Sequence, residues 1–98
     1  MEIIRNVNND ELTINLVGRL DTTTAPELEN ELKSSLENIK SLVLDLVDLD
    51  YISSAGLRVL LSAQKIMNAK GSMVIRNAKS EIMEVFEITG FTDILTIE

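Results

Sequence analysis

Two adjacent serines, Ser53 and Ser54, followed by Ala55, Gly56, Leu57 and Arg58, are the residues of this chain best placed to do chemistry. A serine hydroxyl becomes a catalytic nucleophile only when a base takes its proton, and the sequence contains no histidine. Lys65 follows Ser54 by about three helical turns, too far for its amine to serve instead. The absence of cysteine removes disulfides, thiolate nucleophiles and zinc sites built on soft ligands. Asp45, Asp48 and Asp50 are closely spaced, yet such acids usually cap turns, and nothing resembles a calcium-binding loop. Gly56 sits outside any phosphate-loop or dinucleotide fingerprint. The residues thus predict no catalytic group, no metal and no cofactor, and the chain reads as a non-enzyme.

The serine pair reads first as a helix N-cap. Neither serine is followed three residues later by Glu or Gln, so no capping box completes the start. Ala55-Gly56 leaves the first turn almost bare, although glycine in a helix costs about 0.5–1 kcal/mol against alanine. A small flat patch after a strand's C-terminal end is where open α/β sheets place their sites. That makes the turn a candidate recognition surface.

Several elements must position it. Glu2 to Val7 reads as a strand, turned at Asn8-Asn9-Asp10 into an alternating strand, Glu11 to Val17. Thr24-Ala25-Pro26-Glu27 reads as a capping box with proline in the first turn, starting a helix that carries Leu28, Leu32, Leu36 and Ile39. Leu42 to Leu46 is mostly apolar, as in a central strand covered on both faces. Asp48 to Ile52 reads as the loop leading into a helix from Ser54 to Lys70, closed by Gly71. Met73 to Ile75 is a short strand. Ser80 is expected to cap a third helix stopped at Gly90, with Phe91 packing back on it, and Ile94 to Ile97 a last strand. Gly18 reads as a turn glycine. The order β-β-α-β-α-β-α-β predicts a single α/β domain over residues 1–98, with a mixed, mostly parallel sheet of about five strands and three to four helices.

Charge narrows the partners. Nine basic against 16 acidic residues give a net charge of −7. A nucleic-acid reader needs a basic footprint, and anionic lipid repels such a chain, so neither nucleic acid nor membrane is expected. No secretory signal pattern opens the chain and no apolar run is long enough to span a bilayer, which predicts a cytoplasmic protein.

Gly18-Arg19-Leu20-Asp21, the Leu42 to Leu46 strand, Ile52-Ser53-Ser54-Ala55-Gly56-Leu57 and the closing Ile88-Thr89-Gly90-Phe91 together resemble STAS domains of the bacterial anti-sigma factor antagonist type. The resemblance covers nearly the whole chain. It implies a phosphorylation switch: Ser54 corresponds to the serine phosphorylated by a partner that is both anti-sigma factor and serine kinase, of the histidine-kinase-like ATPase type. The unphosphorylated antagonist binds that partner and frees a sigma factor, and a phosphoserine phosphatase resets the switch. Asp21 matches a family acid beside the acceptor, and Asp21, Thr22, Ser53, Ser54, Ala55, Gly56, Leu57 and Arg58 form the implied partner surface. Ser53 stands where well-known members carry Asp, making it a second candidate acceptor, and Arg58 stands where several have Gly. Asp21, Asp48 and Asp50 are expected to add like charge around a phosphate on Ser54. A constitutive scaffold or transport-complex subunit, and a small-molecule sensor, are the alternative readings.

Overall fold

The computed structural model describes residues 1–98. Its chain order is β1 (Glu2–Asn8), β2 (Glu11–Leu20), α1 (Ala25–Ser35), β3 (Ser41–Asp45), β4 (Leu49–Ile52), α2 (Ser54–Asn68), β5 (Ser72–Arg76), α3 (Ser80–Thr89) and a 3-10 turn at Phe91–Asp93. The expected class holds: one α/β domain with three helices on a mixed five-stranded sheet.

β1 and β2 pair antiparallel from Glu2↔Val17 to Asn8↔Glu11, across a tight turn in which Asn9 has φ 58. β2 then does double duty along its other edge. Glu11 to Asn15 pair in parallel with β3, and Gly18 to Leu20 pair in parallel with β4. The partner changes at a register shift between Gly18 and Arg19, where Gly18 takes φ +103 and donates its N–H to the Asp48 carbonyl at 3.0 Å. The extra residue of this shift is Asp50 of β4, and Gly18 supplies the positive-φ backbone facing it, so Gly18 lies inside a strand rather than in a turn between strands. β3 pairs in parallel with β5, completing the sheet.

β4 lies where the sequence reads as an exit loop. It is four residues long, with Leu49 and Ile52 buried and Asp50 and Tyr51 exposed, too short for a period to show. The expected last strand shrinks to one parallel bridge, Ile75↔Ile97, held by hydrogen bonds of Ile75 to Thr96 and Glu98. Gly90 and Phe91 behave as read: Gly90 ends α3 at φ 80, and half-buried Phe91 packs on the core.

One core joins every layer. Leu12, Ile14 and Leu16 of β2, Leu42 and Leu44 of β3 and Met73 and Ile75 of β5 meet Leu28 and Leu32 of α1, Leu57, Leu60 and Met67 of α2, and Ile82 and Phe86 of α3. Burying one such side chain contributes about 1.5–3 kcal/mol. Val43 is buried but stands outside this cluster, between Thr13 and Val74 in the sheet. The apolar run of β3 therefore reflects shielding by neighbouring strands, not a second helical layer.

The helix ends differ in detail from their sequence signals. The Thr24–Glu27 capping box does not form, because Thr24 Oγ1 is engaged by Asp21 N–H at 2.8 Å and donates to Arg19 O at 2.8 Å. Lys79, not Ser80, occupies the N-cap of α3. α2 closes at Asn68, where Gly71 N–H donates to Met67 O of the last turn at 2.7 Å. Gly71 also meets a second need, since a Cβ there would lie 1.8 Å from the Lys40 carbonyl oxygen. The crossing of these two loops is too close for any side chain.

Candidate functional site

β2, β4 and α2 converge at one point. Ser53 N–H donates to Leu20 O at 2.9 Å, which ties the start of α2 to the end of β2 just before Asp21. Ser53 has an extended backbone (φ −100, ψ 175), and its Oγ accepts from Gly56 N–H at 3.4 Å, the N-cap geometry. Ser54 is the first residue of α2 and is exposed. The pair is thereby divided in role: Ser53 holds the helix, and Ser54 faces solvent.

Gly56 is explained from beneath. A Cβ at this position would meet Leu20 Cγ at 2.7 Å and Ile52 Cγ1 at 2.9 Å. The bare first turn is therefore a packing requirement of α2 against the ends of β2 and β4. Gly56 and Leu57 are buried and support the surface without forming it, whereas Ser54 and Arg58 are exposed and Ser53 and Ala55 half-buried.

Asp21 builds the neighbouring turn. Its Oδ1 accepts from Thr23 Oγ1 at 2.8 Å, Thr23 N–H at 3.0 Å and Thr24 N–H at 3.1 Å, while its Oδ2 lies 3.7 Å from Arg19 Nε. These bonds, the Thr23 hydroxyl first, hold the carboxyl below its ordinary range. Asp21 thus caps the approach to α1, the role the sequence suggests for Thr24. Arg19 completes a chain of contacts, its guanidinium 4.1 Å from the centre of the Tyr51 ring across the β2–β4 pairing. That stack was hidden in the sequence because β4 was.

The expected ring of like charge is largely neutralised. Asp21 faces Arg19, and Asp50 accepts from Lys79 Nζ at 2.5 Å, a bond that raises the Lys79 ammonium above its usual range. Asp45 Oδ1 accepts from Val47 N–H and Asn77 Nδ2, a turn cap as read. Asp48 makes no ion pair.

Between α1 and α2 runs an open groove of about 380 Å³, with Thr22, Pro26 and Asn30 on one wall and Ala55, Arg58 and Ser62 on the other. It continues along α2 as a second hollow of about 230 Å³ that reaches Lys33 and Ile66. The structure thus brings Thr22, Ala55 and Arg58 together beside Ser54. Pro26, Asn30 and Ser62 were not legible as site residues, since a groove between helices depends on how they cross. No group of three His, Cys, Asp or Glu side chains comes together as a metal site, and no helix is long and apolar enough to cross a membrane. Chemically, the site offers an exposed hydroxyl at a helix N-terminus, a small apolar step and an adjacent guanidinium.

Known proteins share this architecture. The STAS domain family matches residues 2–98. BtrV of Bordetella bronchiseptica, a protein assigned as an anti-sigma factor antagonist, is 43% identical over 84 residues, covering 84% of this chain and 72% of that protein. The anti-sigma-B factor antagonist of Bacillus subtilis is 31% identical over 91 residues, covering 92% and 84%. Among solved structures, the Bacillus cell fate determinant SpoIIAA in its phosphorylated form superposes with a TM-score of 0.77 at 16% identity, over 99% of this chain and 91% of that one, a likeness of fold. The chain belongs to the STAS domain family, among the anti-sigma factor antagonists.

Proposed function

We propose that this STAS domain is a cytoplasmic, phosphorylation-switched antagonist that binds an anti-sigma factor through the start of α2. The partner is both anti-sigma factor and serine kinase, of the histidine-kinase-like ATPase type, and a phosphoserine phosphatase reverses its action. Binding of the unphosphorylated chain occupies the partner and releases a sigma factor. The carrying observation is the division of the serine pair, in which Ser53 caps the helix and Ser54 stands exposed as its first residue.

In the modification step, Ser54 Oγ forms a bond to the γ-phosphorus of a nucleoside triphosphate. The bond to the bridging oxygen of the diphosphate breaks, and the hydroxyl proton leaves to the kinase or solvent. The product carries about −1.5 to −2 added charge. At a helix N-terminus that charge is favoured, because free N–H groups and the dipole attract anions. The fold therefore persists while the partner surface, which would have to bury a dianion, is lost.

The test is capture of the partner from native lysate, followed by ATP-dependent phosphorylation with site mapping. Label is expected on Ser54, with Ser54→Ala bound constitutively and Ser54→Asp bound weakly. Equal binding by both variants would sink the reading and favour a constitutive scaffold.

A further inference from the structure

Arg58 stands four residues after Ser54 on α2, a spacing that places the two side chains on one helical face, one turn apart. Side chains in a helix lean back toward its N-terminus, so a guanidinium four positions on extends over the turn before it. An anion N-terminal to a cation is also the more favourable order of such a pair. Arg58 is exposed and takes part in none of the chain's ion pairs, which engage Arg5, Arg19, Lys33, Arg76 and Lys79. The first turn of α2 holds no acidic residue to compete for it. Arg58 also forms part of the wall of the α1–α2 groove, opposite Thr22.

We propose that Arg58 is the intramolecular receptor for a phosphate on Ser54, and that in closing on it Arg58 leaves the groove wall. This rests on Ser54 being the phosphorylated residue. The unphosphorylated chain offers a free guanidinium beside Ser54, suited to a carboxylate of the partner. The phosphorylated chain withdraws it into a charge-assisted pair with its own phosphate. Release then has two causes, the dianion on the partner surface and the loss of the cation. The same geometry separates the two serines, because the residue four positions after Ser53 is buried Leu57.

The experiment uses the full chain with phosphoserine installed at position 54 during synthesis, so that no kinase is needed. Phosphorus NMR follows the second ionisation of the phosphate in the wild type, Arg58→Gln and Arg58→Lys. The other charged groups on the elements that meet at this end of α2 are Asp21, paired with Arg19, Asp50, paired with Lys79, the unpaired Asp48 and, across the groove, Glu29, paired with Lys33; all are unchanged in the variants. The wild-type phosphate is expected to ionise about half a unit below that of Arg58→Gln, with Arg58→Lys recovering part of the shift. Coincident titrations of wild type and Arg58→Gln overturn the clamp. Mapping of the partner kinase's label to another residue overturns the functional reading instead, and with it the regulatory role of the pair.

Discussion

At the scale of single residues, the site is made by atoms that are missing or already committed. Gly56 leaves room for Leu20 and Ile52, and a Cβ would approach them at 2.7 and 2.9 Å. Gly56→Ala is expected to cost about 1–3 kcal/mol by overpacking, read as a lower urea midpoint with unchanged slope. A wild-type midpoint would show that α2 can shift outward freely. Asp21 is committed to Thr23 and Thr24, and its carboxyl ionises below the usual 3.8. A lowered folded-state value contributes stability that is complete above the unfolded pKa and is lost as pH falls through the folded one. Thr23→Ala removes the largest cause and should move the Asp21 midpoint up toward 3.8 in a carboxyl NMR titration. An unmoved midpoint would assign the shift to the backbone N–H groups instead. Ser53 and Ser54 were both legible as candidates, with the family resemblance favouring Ser54, and in the structure the bond from Gly56 N–H to Ser53 Oγ and the exposure of Ser54 divide their roles. Hydroxyl direction is a property of local backbone geometry, which residue types alone leave open.

At the scale of elements, the decisive feature is the change of partner along β2. The chain needs β3 beside the first half of β2 and β4 beside the second, and Gly18 makes the shift possible. Only Met1 Cα lies near a Cβ built on Gly18, at 3.7 Å, so Gly18→Ala meets no obstacle of packing. Its cost is backbone strain at φ +103, about 1–2 kcal/mol. Because that strain sits where β4 is held, amide hydrogen exchange should quicken across Leu49–Ile52 more than across β3. Equal protection in both strands would count against the bulge as the hinge of this pairing. The alternation of Leu12, Ile14 and Leu16 made β2 readable, and the leucine spacing did the same for α1. β4 was not readable, since four residues paired to three carry no periodic signal.

At the scale of the whole molecule, the proposed switch requires no change of fold. A phosphate on Ser54 would make the net charge of −7 more negative, yet it would sit at the end of α2 that attracts anions. Far-ultraviolet circular dichroism of the phosphorylated chain should therefore match the unmodified one while partner binding falls. Loss of helical signal would replace surface exclusion with local unfolding as the mechanism. Residue order alone determined the α/β class, the hairpin, the three helices, the absence of histidine and cysteine chemistry and the serine turn, because periodicity, capping chemistry and composition are local properties. Only the tertiary structure decided that Gly56 and Leu57 support the surface from below, that Asp21 and Asp50 are paired, and that Thr22 and Arg58 share a groove beside Ser54. Those facts depend on which distant segments meet, and the single core that brings them together is a property of the whole chain.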